Sequence, residues 1–343
     1  MILHFTKTNG PVDEAIDNLM GRLNDIRHPE IVREMIIAAL KAGQENDEKA
    51  DLKLMNTTLK EMRFTSKIFG QYSGIRKVTV FGSARTEPRA QAYIMAYQLG
   101  QKLAAAGYMV ITGAGGGIMQ AVNEGAGPDN SFGVNIQLPF EQRPNTVLEG
   151  NPRLISYKYF FNRKVAFIKE ADAVALFPGG FGTLDEAMEI LTLMQTGKHN
   201  PMPLILVDDP GGTYWSHYLQ FMEKELLSRG YISDTDFNLF ELVRSPDEAV
   251  SSILNFYSRF HSMRYVDRKL VIRLLSPLGE EAVRELNALF SDIITPGGSI
   301  CPSCPLPPET DQPDISDLPR LVMDFNRKDF GRLRKLIDSI NGY

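Results

Sequence analysis

Cysteine is nearly absent. The 343-residue chain has two, Cys301 and Cys304, in a Cys-Pro-Ser-Cys run. A secreted domain of this size stapled by disulfides carries more. A zinc site needs four ligands, and no further Cys or His lies nearby in sequence to complete one. The five histidines (His4, His28, His199, His217, His261) form no ligand-spaced cluster, so no metal is expected. No apolar run approaches the ~20 residues that span a bilayer. The opening Met-Ile-Leu-His-Phe-Thr-Lys lacks a basic stretch followed by a long apolar one. Positive charge is not in excess either. A net charge of -5 argues against a nucleic-acid-binding surface, though it leaves room for a basic pocket around one phosphate. A Gly-x-Ser-x-Gly nucleophile elbow is also missing. These absences lead to the expectation of a soluble, cytoplasmic protein with neither a membrane nor a nucleic acid as partner.

What is present is ordinary globular material. Hydrophobic residues make up 43% and charged residues 23%, enough to build a sizeable core. Residues 1–70 read as a helical extension: Val12 to Leu23 and Ile31 to Leu40 are apolar at helical spacing. From about residue 71 to 258 short apolar runs alternate with helical stretches. The strands are Lys77–Phe81, Tyr108–Thr112, Phe132–Ile136, Ala173–Phe177 and Pro203–Val207. The helices are Pro88–Ala106, one running through Ala126, Lys158–Glu170, Gly182–Gln195, Tyr214–Ser228 and Pro246–Ser258. Near-uniformly apolar strands between helices imply a parallel sheet covered on both faces, a doubly wound α/β domain. Residues 259–343 read as a helical C-terminal extension. In it, 259–295 is helical, 296–317 is a Pro-rich linker, and a short basic helix spans about Leu318–Ile340.

Three loops follow strands and belong at the carboxyl edge of the sheet, where open α/β sheets bind ligands. In the first, Phe81-Gly82-Ser83-Ala84-Arg85, Gly82 permits a tight turn, Ser83 offers a hydroxyl and Arg85 a cation. The second, Thr112–Met119, contains Gly113, Gly115, Gly116 and Gly117. It suits close approach of a phosphate to the main chain, or a tight turn with close helix–sheet packing. It is neither a dinucleotide fingerprint nor a Walker A loop. In the third, Pro178–Glu186, Gly179, Gly180 and Gly182 expose backbone donors and Thr183 adds a hydroxyl at a helix N-terminus. Asp185 and Glu186 follow in the first turn, where carboxylates suit the helix dipole or serve chemistry. Arg163 and Lys164 lie on the preceding helix, as solvated residues or as groups reaching into the cleft.

Together these motifs resemble the Lonely-guy (LOG) family, once mislabelled lysine decarboxylases. The matching residues are Pro178–Glu186, Arg163–Lys164, Phe81–Ala84 and Thr112–Met119. Phe132–Asn145 resembles the longer bacterial members. The resemblance implies a Rossmann-like fold, a homodimer or higher homo-oligomer, and no cofactor. It implies hydrolysis of the N-glycosidic bond of a nucleoside 5′-monophosphate to free base and ribose 5-phosphate. The substrate class is either cytokinin ribotides or ordinary purine and pyrimidine nucleotides such as AMP.

By the same resemblance Arg163 and Glu186 are the catalytic pair. The expected substrate and phosphate contacts are Gly82, Ser83, Gly115, Gly116, Gly117, Met119, Lys164, Pro178, Gly179, Gly180, Gly182, Thr183 and Asp185. Cleavage of a ribosyl bond builds positive charge on the sugar, which a carboxylate stabilises. Asp185 stands where many members have glutamate. Phe161-Asn162 stands where cytokinin-activating members have His-Glu. The competing reading is a non-catalytic nucleotide or molybdenum-cofactor carrier of the same fold.

Overall fold

The computed structural model describes residues 10–137 and 143–343. His4 and residues 138–142 of the Phe132–Asn145 stretch lie outside the described residues. The chain divides into two compact units, Met1–Phe64 and Thr65–Tyr343. The first contains α1 (Pro11–Gly21), α2 (Pro29–Glu45) and most of α3 (Lys49–Phe69). Ile16 and Ile37 are buried in α1 and α2, and Arg33 binds Asp13 and Asp17. The last turns of α3 belong to the second unit, where Phe69 stacks on Phe132 with ring centroids 4.3 Å apart.

The second unit opens with β1 (Lys77–Phe81), α4 (Gln91–Ala105), β2 (Met109–Thr112), α5 (Ile118–Ala126), β3 (Ser131–Ile136) and β4 (Leu154–Tyr157). It continues through α6 (Phe160–Lys169), β5 (Ala173–Leu176), α7 (Phe181–Gln195), β6 (Leu204–Val207), α8 (Tyr214–Phe221), β7 (Glu241–Val243) and α9 (Pro246–Phe256). The sheet order is β4-β3-β2-β1-β5-β6-β7, and every pairing is parallel. This is the doubly wound, Rossmann-like arrangement. Strands β1, β2, β3, β5 and β6 are buried along their whole length, as expected of apolar strands covered by helices on both faces. The two edge strands, Leu-Ile-Ser-Tyr and Glu-Leu-Val, carry polar residues and only partly buried positions, and no apolar run announced them. Strand order reverses between β1 and β5, so the crevice expected at such a switch point opens beyond Phe81 and Leu176.

The C-terminal region departs from the expected pair of helical stretches joined by a linker. It contains β8 (Phe260–Val266), β9 (Lys269–Leu274), α10 (Glu280–Leu289), β10 (Ile300–Ser303), β11 (Arg320–Met323) and α11 (Phe330–Gly342). The strands form an antiparallel sheet in the order β10-β11-β9-β8. In β8 the buried residues are Phe260, Met263 and Val266. A register shift between Phe260 and Ser262 breaks the strand's two-residue alternation. The bulge sets Met263 three residues after Phe260, and the buried trio Phe260, Met263 and Val266 imitates a helix in sequence.

The supposed linker is also ordered. Glu309, only 3% exposed, sits between the buried Arg273 and Arg320. Arg273 donates to Glu309 Oε1 from Nε at 3.0 Å and from Nη2 at 2.7 Å. Arg320 Nε and the Leu306 N–H donate to Oε2, each at 3.0 Å. These partners lie up to 36 residues away in sequence, so local composition cannot reveal them. The C-terminal region docks onto the parallel-sheet domain through α11. Arg334 donates to the Met202 carbonyl at 3.0 Å, and Thr235 donates to Asp329 at 3.1 Å.

Candidate active site

The three glycine-rich loops meet at the carboxyl ends of β1, β2 and β5, and main-chain bonds lace them together. The Phe177 N–H donates to the Phe81 carbonyl at 2.9 Å, and the Ser83 N–H to the Pro178 carbonyl at 3.1 Å. The Ile118 N–H donates to the Ser83 carbonyl at 3.1 Å. The first loop is therefore the middle layer, held from both sides.

Between the first and third loops lies a cleft of about 760 Å³, large enough for a nucleotide-sized ligand. The structure brings Gly82, Ser83, Met119, Arg163, Gly179, Gly180, Gly182, Thr183, Asp185 and Glu186 to its walls. It does not bring Gly115, Gly116, Gly117, Lys164 or Pro178 there. Gly116 and Gly117 pack beneath the first loop instead. Gly117 takes φ +61°, and a side chain on it would collide with the Ser83 carbonyl and the Ala84 backbone. The Gly115 carbonyl is taken by Asn145 Nδ2 at 3.1 Å.

The third loop is open where it faces the cleft. Nothing stands within 4 Å of the place a Cβ would occupy on Gly180 or Gly182, whereas a side chain on Gly179 would strike Thr183. The N–H groups of Phe181 and Gly182 open α7 and, by position, have no intrahelical acceptor. Tyr214, at the start of α8, donates its hydroxyl to the Gly179 carbonyl at 2.7 Å and lines the cleft. Because carbonyl and N–H point opposite ways across a trans peptide, this bond also aims the Gly180 N–H. Sequence reasoning missed Tyr214. Its only local signal is its position at a helix start just after Gly211-Gly212.

Arg163 and Glu186 occupy the inner wall. Arg163 Nε donates to the Val134 carbonyl at 2.8 Å, and the guanidinium lies over the Phe167 ring at 5.0 Å. Gly113 makes room for it, since a side chain there would meet the guanidinium. Burial lowers the Arg163 pKa, and the charge of Glu186 opposes that shift. Glu186 is 7% exposed, and its Oε2 has no hydrogen-bond partner. Burial pushes its pKa up to about 7. Lys164 and Arg163 pull that value down, while Glu189 and Asp185 push it up. Asp185, its neighbour, is exposed and pairs with Lys164 Nζ at 2.8 Å. Two aromatics flank the opening: Phe160 is half exposed and Phe181 is 93% exposed. Among the described residues no group of three or more His, Cys, Asp or Glu is placed to hold a metal ion.

Comparison with known proteins gives three findings. Residues 116–253 match the family model described as possible lysine decarboxylase. A probable cytokinin riboside 5′-monophosphate phosphoribohydrolase of Oryza sativa subsp. japonica is 32% identical over 167 residues, 47% of this chain and 64% of that protein. A cytokinin riboside 5′-monophosphate phosphoribohydrolase of Arabidopsis thaliana is 30% identical over 171 residues, 48% of this chain and 75% of that protein. Among solved structures, the molybdenum cofactor carrier protein of Chlamydomonas reinhardtii aligns at 16% identity and TM-score 0.36, covering 52% of this chain and 96% of that one. A likeness that weak carries no argument.

Proposed function

The chain belongs to the Lonely-guy family, and from that premise we propose that it hydrolyses nucleoside 5′-monophosphates to free base and ribose 5-phosphate. The observation that carries this reading is Glu186, a buried carboxylate on the cleft wall with an oxygen left unbonded. A buried charge without its full set of partners costs stability, and such sites are where proteins place working groups.

In this reading the 5′-phosphate sits at the start of α7. The N–H groups of Gly180, Phe181 and Gly182 and the Thr183 hydroxyl face an anion there, aided by the helix dipole. Gly82 and Ser83 close the opposite wall, and Arg85 adds a cation at the rim. Glu186 and Arg163 then flank the ribose. As the C–N bond to the base stretches, positive charge grows on the sugar and the Glu186 carboxylate stabilises it. A water attacks the anomeric carbon and passes a proton to Glu186, the departing base takes a proton from solvent, and Glu186 returns its proton to solvent, so the net change adds one water across the C–N bond. Arg163 fixes the phosphate-bearing sugar and the carboxylate.

The chemistry needs Glu186 ionised, so kcat/KM rises with pH and reaches half its plateau near pH 7. Phe160, Phe181 and Met119 are the candidate walls for the base, and they fit any flat heterocycle. A panel of nucleoside 5′-monophosphates, including AMP and a cytokinin ribotide, tests the reading beside Glu186→Ala. The expected result is base and ribose 5-phosphate released by the parent and not by the variant. Binding of a nucleotide without release of any base would replace the enzyme with a carrier.

The proposed assembly is a homodimer. Its support is the solvent-facing apolar group Phe160, Phe161, Val165, Phe181 and Met188 on α6 and α7. A solution mass of one chain would refute it. The cytoplasm is the proposed location, in keeping with two exposed free thiols, Cys301 and Cys304.

A further inference from the structure

Arg163 and Lys164 are neighbours on α6, and successive residues on a helix point about 100° apart. Here the two point to different sides. Arg163 takes the cleft side, while Lys164 faces α7. There α7 presents three carboxylates on adjoining positions: Asp185, Glu186 and Glu189. Residues three and four apart share a helix face, so three negative charges gather within one turn. The Lys164 ammonium is the cation set among them. It donates to Asp185 Oδ2 at 2.8 Å and to Glu189 Oε2 at 2.7 Å, and lies 3.9 Å from Glu186 Oε2. Two of its three donors are thus taken, and the ammonium is fixed next to the unbonded oxygen of Glu186.

We propose that Lys164 is a positioning residue: clamped by Asp185 and Glu189, it keeps the Glu186 carboxylate ionised and in place for the reaction. This rests on the reading of Glu186 as the working carboxylate, and it removes Lys164 from the expected phosphate contacts. The charged groups acting on Glu186 are Lys164 and Arg163 from α6 and Asp185 and Glu189 from its own helix. Lys164 is the stronger of the two cations. Its own pKa is raised: burial lowers it, but the hydrogen bonds to Asp185 and Glu189 outweigh that. The ammonium therefore stays charged across the range in which Glu186 titrates. A cation this near holds a carboxylate's pKa down by ~1 unit or more, and removing it releases Glu186 upward.

The test is the ionisation of Glu186 read directly and by activity. Glutamate labelled with 13C at the carboxyl carbon gives a titrating resonance, assigned to Glu186 by its loss in Glu186→Gln. In Lys164→Met the midpoint is expected to rise by ~1 pH unit or more. The acid limb of kcat/KM should rise with it, giving a ~10-fold loss at pH 6.5 that shrinks by pH 9. Lys164→Arg, which keeps the charge, should restore most of the parent profile. Lys164→Gln, a second neutral replacement, should give the same rise and serves as the second arm if Lys164→Met does not fold. A midpoint unmoved in Lys164→Met and Lys164→Gln overturns the proposal. So does a loss of activity that is equal at every pH. The resonance needs no turnover, so a carboxyl that titrates as stated in a protein that releases no base would overturn only the proposed function.

Discussion

Two buried glutamates define the contrast between the parallel-sheet domain and the C-terminal sheet. Glu309 is 3% exposed and Glu186 is 7% exposed, so burial alone does not tell them apart. Glu309 receives donors on both oxygens from Arg273, Arg320 and the Leu306 N–H. Burial pushes its pKa up, but those donors win and hold it below the ordinary glutamate value. Glu186 has a cation 3.9 Å from an oxygen that nothing hydrogen-bonds, and burial pushes its pKa up to about 7. One carboxylate is satisfied by the fold and closes a structure. The other is left short of partners, and a substrate can supply what is missing. The number of donors that reach each acid separates the two, and it is what supports the proposed working role of Glu186.

The sharpest way to break this contrast is to neutralise each acid in turn. Glu186→Gln keeps the shape and removes the charge, and it should lower kcat/KM ~10²–10⁴-fold while the protein remains folded. Glu309→Gln should do the reverse. It leaves Arg273 and Arg320 buried with an incomplete counter-charge, at a cost of ~3–5 kcal/mol in urea unfolding, while folded molecules keep their turnover. If Glu309→Gln abolished turnover at full stability, the division between the two acids would collapse.

The same contrast predicts opposite pH behaviour. The folded pKa of Glu186 lies above its unfolded value. Its stability contribution is therefore fully present below about pH 4.5 and is lost as pH rises through about 7. The folded pKa of Glu309 lies below its unfolded value. Its contribution is present at neutral pH and is lost as the solution is acidified. Unfolding of the two variants across pH 4–9 separates these trends. The smallest expected effect belongs to Tyr214→Phe, which loses one hydrogen bond to the Gly179 carbonyl. It should cost ~0.5–1.5 kcal/mol in phosphate affinity, read as a rise in KM with little change in kcat.

The two regions also differ in how far their sequences reveal them. Strands β1, β2, β5 and β6 are short, apolar and bounded by turn residues, so the parallel sheet is legible from local pattern. The loops between them are legible as well, because glycine clusters after apolar strands have few other causes. In the C-terminal region the organising contacts are long-range. The bulge in β8 disguises a strand as a helix, and the Glu309 cluster orders a segment whose prolines suggest looseness. Within the cleft, sequence identified Arg163, Glu186 and the Gly179–Thr183 loop as a set, and the structure brings them to one cleft. It could not tell that Gly116 and Gly117 face the first loop and that Gly115 is held by Asn145, because both depend on contacts from outside the loop. Nor could it tell that Lys164 turns toward α7, because the rotation of α6 decides that.

The measurement that tests the central claim most directly is the unfolding free energy of Glu186→Gln against the parent chain at pH 8.5 and pH 4.5. If Glu186 is a buried acid short of partners, the variant is more stable than the parent at pH 8.5. A shift from 4.5 to about 7 corresponds to ~3 kcal/mol. At pH 4.5, where both carry a neutral side chain in the fold, the two should be nearly equal. A variant less stable than the parent at pH 8.5 would show that Glu186 is held as Glu309 is, and would contradict the account.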